Sequence, residues 1–98
     1  MKTEQLRHLN TIIEHYGASH QMDKAVEECS ELITEVCKFR EGLDDANKFY
    51  DVHNIFDEIA DVEIMINQLK IMFDCFGEVE ERIDYKINRQ LERIAKGE

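Results

Sequence analysis

Glu58 and Asp61 stand one helical turn apart in the run Phe56 to Ile66, and they fall where apolar residues should be. An α-helix advances about 100° per residue, so Asp61, Met65, Leu69, Met72 and Phe76 all lie within about 60° of Glu58. The two carboxylates continue the stripe that such a helix turns toward its neighbours. An ionised carboxylate buried without a partner is strongly destabilising, and the group usually neutralises instead. Whatever this chain folds into must bring a cation to that stripe.

A second acidic segment, Val26 to Ile33, carries Glu28 and Glu31 at the same spacing. Five acidic i,i+3 pairs occur in the chain, about the number its 22 acidic residues would give by chance, so spacing alone carries no argument. Position does. Only Glu58/Asp61 lies squarely on an apolar stripe, while Glu28 borders one and Glu31 flanks it. Two neighbouring helices are expected to aim all four carboxylates at one point.

The remaining sequence predicts an all-α fold. Proline is absent, glycine occurs four times, and residues that favour helices dominate the 98-residue chain. Leu6, Leu9, Ile13 and Tyr16 predict a first helix from about Lys2 to Tyr16, ended by Gly17 in a left-handed cap. Ser19 is the expected N-cap of a second helix running to about Glu41 and closed by Gly42, with Met22, Ala25, Cys29, Leu32, Ile33 and Val36 as its buried face. Leu43 to Val52 reads as a connector with one helical turn near Ala46 to Tyr50, placed where it would cover a ligand. A third helix, capped by Asp51 or Asn54, is expected to run to Phe76 and stop at Gly77. Its later half is apolar on nearly every side, which points to an oligomer interface. The last helix, Glu78 to about Lys96, carries Val79, Ile83, Ile87, Leu91 and Ile94 on one face. The sum is one domain, residues 1–98, built as a helical bundle of about four helices.

Charge and cysteines narrow the partners. A formal charge of −10 disfavours nucleic acid and anionic membranes, both polyanions, and suits a divalent metal. Cys29, Cys37 and Cys75 lack metal-finger spacing and read as reduced, mostly buried thiols. The most apolar segment is broken by charged and amide residues, so a cytoplasmic protein is expected. Magnesium is the natural ion for four convergent carboxylates, because it takes oxygen ligands and shares its octahedron with phosphate; manganese and calcium fit the same donors. A di-iron centre would call for Glu-x-x-His pairs, and none of His8, His15, His20 or His53 completes one.

Val26-Glu27-Glu28-Cys29-Ser30-Glu31-Leu32 resembles the EExxE element of the MazG-like all-α nucleoside triphosphate pyrophosphohydrolases, and Glu58-Ile59-Ala60-Asp61 resembles their ExxD element. The separation between the two, Tyr16-Gly17, Gln21 and Lys24 before them, and Lys86-Ile87-Asn88-Arg89 after them are similar to that family's layout. The resemblance implies cleavage of a nucleoside triphosphate between the α and β phosphates, with Glu28, Glu31, Glu58 and Asp61 as magnesium ligands. It implies Lys86 and Arg89 as neutralisers of the triphosphate and Gln68 as an amide facing the nucleotide. Gln21 and Lys24 are candidates for phosphate or ligand contact, and Met65, Phe73 and Phe76 for a base pocket. Glu27, Glu35 and Glu63 are bystander carboxylates. The family's usual second arginine is replaced by Gln90. A homodimer or homotetramer is expected.

Another class of function stays open. In a non-catalytic acidic module that binds a partner protein through the third helix, Glu58 and Asp61 would be paired with Arg82 or Lys86 of the last helix. A relative that binds nucleotides without cleaving them is a third reading.

Overall fold

The computed structural model describes residues 1–45 and 49–98 as an all-α fold of four helices. These are α1 (Thr3–Tyr16), α2 (Ala18–Asp44), α3 (His53–Phe73) and α4 (Phe76–Ala95). Of the helical turn expected near Ala46 to Tyr50, residues 46–48 lie outside the described residues, and Phe49 and Tyr50 are not helical.

Gly17 alone separates α1 from α2. Its φ of 91° and ψ of 149° suit glycine and strain other residues. Its N–H donates to the Ile13 carbonyl at 2.8 Å while its own carbonyl accepts from Gln21 N–H at 3.1 Å, so one residue closes the first helix and opens the second. Ser19 therefore lies inside α2 and does not cap it.

The other glycines also depart from expectation. Gly42 does not stop α2, which continues to Asp44; a Cβ there would make only an ordinary contact with the Cβ of Tyr50, at 4.0 Å. Nor does Gly77 stop α3. Asp74 takes the left-handed conformation (φ 49°, ψ 54°) three residues earlier, and Cys75 N–H donates back to the Lys70 carbonyl at 3.1 Å, closing the helix in a Schellman-type turn. Gly77 becomes part of α4. At the start of α3 the Asp51 carboxylate accepts both the His53 N–H at 3.0 Å and the His53 Nδ1 at 2.7 Å.

α2 and α3 pack along each other, and α1 lies against both. Contacts pair Gln21 with Gln68, Glu28 with Asp61 and Glu35 with Tyr50, so the two long helices run antiparallel. The core is small: Leu9, Ala25, Val62 and Met65 are buried, joined by the polar side chains of Gln21, Glu28 and Gln68.

α4 packs little on the rest of its own chain, and its stripe of Ile83, Ile87, Leu91 and Ile94 is exposed. The radius of gyration, 17.1 Å, exceeds the roughly 13 Å of a compact domain this long. The face expected to be buried on α2 is uncovered too. Ala25 is buried and Leu32 half-buried, but Met22, Cys29, Ile33 and Val36 are exposed, because α1 and α3 cover only the other side. For the same reason Cys29 and Cys37 are exposed thiols and Cys75 is half-buried, against the expectation of mostly buried ones. No described helix is long and apolar enough to cross a membrane.

Candidate metal and ligand site

The antiparallel pairing of α2 with α3 brings Glu28 to Glu58 and Asp61. One carboxylate oxygen from each lies within 4.8 Å of the others, and a second set of the same dimensions joins Glu27, Glu28 and Glu31. Glu28 belongs to both and is 7% exposed, while Glu58 and Asp61 are half-buried and Glu31 is exposed. All four expected carboxylates thus meet around Glu28.

Their electrostatics are unresolved by the protein itself. Glu28 Oε2 and Glu58 Oε2 are both out of solvent and without a hydrogen-bond partner among the described residues. Burial, then the charge of Glu31, pushes the Glu58 carboxyl up to about 7. Asp61 is raised by burial and by Glu28, and Glu31 chiefly by the charge of Glu28. Like charges gathered in a partly dry place hold protons tightly. Among the described residues, Lys24 is the cation nearest this group: its Nζ lies 3.2 Å from Glu28 Oε1 and 3.4 Å from Glu27 Oε1. One lysine shared by two glutamates leaves Glu58 and Asp61 without an ion pair among the described residues. An all-oxygen donor set with two orphaned buried oxygens fits a hard divalent cation.

Beyond the acids the same face of α2 opens into a cleft of about 450 Å³, lined by Lys24, Gln21, His20, Tyr16 and, from α3, Asp61 and Met65. Gln21 Nε2 donates to Gln68 Oε1 at 2.8 Å, and its Oε1 meets His20 Nδ1 at 2.7 Å. The His20 and Tyr16 rings stack, with centroids 5.2 Å apart and planes 16° from parallel. Gln68, the amide expected to face the nucleotide, is 1% exposed and is not part of the cleft lining. Buried between the helices, it sets the orientation of Gln21.

Other candidates lie apart. Lys86 and Arg89 sit on α4, exposed and away from the cleft lining; Arg89 borders a surface hollow with Asn88 and Arg93. Arg82, expected as a possible counter-ion, rests over the Tyr85 ring at 4.7 Å. Of the three residues considered for a base pocket, Met65 lines the cleft, Phe73 lies in a separate apolar groove with Met22, Val26, Ile33 and Leu69, and Phe76 lies under the Lys70 ammonium at 5.7 Å. Among the bystanders, Glu27 joins the acid set, Glu63 stays exposed, and Glu35 accepts a hydrogen bond from the Tyr50 hydroxyl, which burial and Glu35 push up to about 12. Helical periodicity does not single out the Tyr16 and His20 rings as a pair. Their i,i+4 spacing across Gly17 and the adjacent Gln21 were the available signal.

Neither the family models, the curated proteins nor the solved structures contain a match to this chain.

Proposed function

We propose that this chain is a magnesium-dependent nucleoside triphosphate pyrophosphohydrolase of the MazG-like kind, cytoplasmic, cleaving between the α and β phosphates to give a monophosphate and pyrophosphate. The observation that carries the reading is the pair of buried carboxylate oxygens on Glu28 and Glu58 that find no partner among the described residues, with Glu28 also lining a cleft that holds a lysine. Glu28, Glu31, Glu58 and Asp61 would hold magnesium, with manganese as a substitute. The bound ion would polarise the phosphoryl group and make a coordinated water acidic enough to attack.

The chain's own groups have distinct tasks in this scheme. Glu28, fixed by Lys24 through one oxygen, keeps the other free as a ligand. The Lys24 ammonium offsets phosphate charge within the cleft. Glu27, an exposed carboxylate at the rim that is not a ligand in this scheme, takes the proton released by the attacking water. Lys86 and Arg89 would neutralise the outer phosphates in a homodimer or homotetramer, where a neighbouring subunit covers the open stripe of α4. That stripe supports an assembled form.

The alternative, a non-catalytic acidic module for protein partners, draws on the same uncovered apolar faces. It leaves the two orphaned oxygens without an explanation, since neither Arg82 nor Lys86 pairs with Glu58 or Asp61 among the described residues. Pyrophosphate release from a panel of canonical and modified triphosphates, with and without magnesium, tests the choice. Turnover that needs magnesium and disappears in Glu58→Gln supports the enzyme; absence of turnover on the whole panel removes it.

A further inference from the structure

The cleft is polar and acidic at one end and flat and aromatic at the other. Tyr16 and His20 stack on each other, with the His15 ring edge-to-face against Tyr16 at 4.7 Å, so the pair offers an outer face, and Gln21 beside them is fixed by its bonds to Gln68 and His20. An amide carries two hydrogens and two lone pairs, so one of each remains on Gln21 after these bonds. Where Gln21 Oε1 accepts from Nδ1–H, Nε2 is the ring nitrogen of His20 left over. From His20 to Glu28 is eight residues of one continuous helix, about 12 Å along its axis. Lys24 stands midway, on the same cleft wall.

We propose that the Tyr16–His20 end of this cleft is a nucleobase platform, on which a planar base stacks while Gln21 reads its polar edge and the phosphates run past Lys24 toward Glu28 and Asp61. The inference rests on the reading of the acidic end as a phosphate and metal site, and it adds which residues choose the base. Stacking on aromatic rings accepts any base, because every base offers a π-face. The amide supplies the discrimination. Its donor and acceptor sit at fixed places, and a base edge with the opposite order leaves both unpaired. This assignment moves base recognition away from Phe73 and Phe76, which lie outside the cleft.

Calorimetry with magnesium present separates the two ends. The probes are the four common ribonucleoside monophosphates, ribose 5-phosphate as the same ligand without a base, and inorganic tripolyphosphate. The proteins are the native chain, Tyr16→Ala, Tyr16→Phe and His20→Ala, each checked for an unchanged melting temperature. At least one monophosphate should bind about fivefold or more tightly than ribose 5-phosphate. Tyr16→Ala and His20→Ala should each erase most of that difference, Tyr16→Phe should restore it, and tripolyphosphate should bind all four proteins alike. Ribose 5-phosphate binding as well as every monophosphate overturns the platform, as do alanine variants that bind monophosphates like the native chain. So does an equal loss of tripolyphosphate affinity in those variants. Failure of tripolyphosphate to bind the native chain instead overturns the reading of the acidic end, and the platform is then judged on the monophosphates alone.

Discussion

Glu28 on α2 and Glu58 on α3, thirty residues apart in the chain, each keep one carboxylate oxygen away from water and, among the described residues, away from any hydrogen-bond donor. A protein that leaves two such oxygens side by side is either strained there or built for an ion that satisfies both.

Glu58→Gln separates these. Removing the charge relieves repulsion from Glu31 and Glu28, so the metal-free variant should melt a few degrees higher than the native chain. The same change removes a hard anionic ligand, and magnesium affinity should fall at least tenfold, read by calorimetric titration. A variant that melts lower and binds magnesium normally would show that Glu58 is a structural residue.

The pH dependence of the metal-free protein follows from the same group. Glu58 holds its proton up to about 7 in the folded chain, whereas in the unfolded chain it lets go near the ordinary value of about 4.5. Between those limits the folded state binds more protons, so stability declines as pH rises through the window. Asp61 and Glu31, also raised, act in the same direction. Thermal melts from pH 5 to pH 8 should show a falling midpoint without metal. Saturating magnesium, which favours the ionised form, should flatten or reverse the trend.

Gln68→Ala tests the buried amide pair. The change removes the acceptor of the Gln21 amide in a region closed to water and opens a small cavity, which should destabilise the chain by about 1–3 kcal/mol in urea unfolding. Loss of less than about 0.5 kcal/mol would mean that Gln21 finds another partner without cost.

Ile87→Asp addresses assembly. Ile87 is 54% exposed in the middle of the α4 stripe, so a charge there costs the single chain little. In an oligomer that covers the stripe it should shift the species to lower mass, seen by light scattering after size exclusion, with helix content of α1 to α3 kept. An unchanged mass would place the interface elsewhere or leave the protein monomeric.

The helices were legible in the sequence because their apolar residues recur at three and four, and so was the acid group, because Glu58 and Asp61 break that stripe. The stops were less so. Glycine is only the commonest way to end a helix; here Asp74 takes the left-handed turn before Gly77 is reached, and Gly42 lies within α2. The Tyr16–His20 stack depends on the angle set at Gly17, a tertiary fact that periodicity does not carry. Burial of Met22, Cys29 and Ile33 was expected because an apolar face was equated with a covered one, and one copy of the chain has too few helices to cover it.

α4 carries a consequence of its own. Twenty residues that pack little on the remainder have little to hold them helical beyond their own hydrogen bonds, whereas most helical stability in proteins comes from packing an amphipathic face. Its amides should therefore exchange with deuterium far sooner than those of α2 and α3 in dilute solution, and slow down when the protein is concentrated. For this segment, order and company would arrive together.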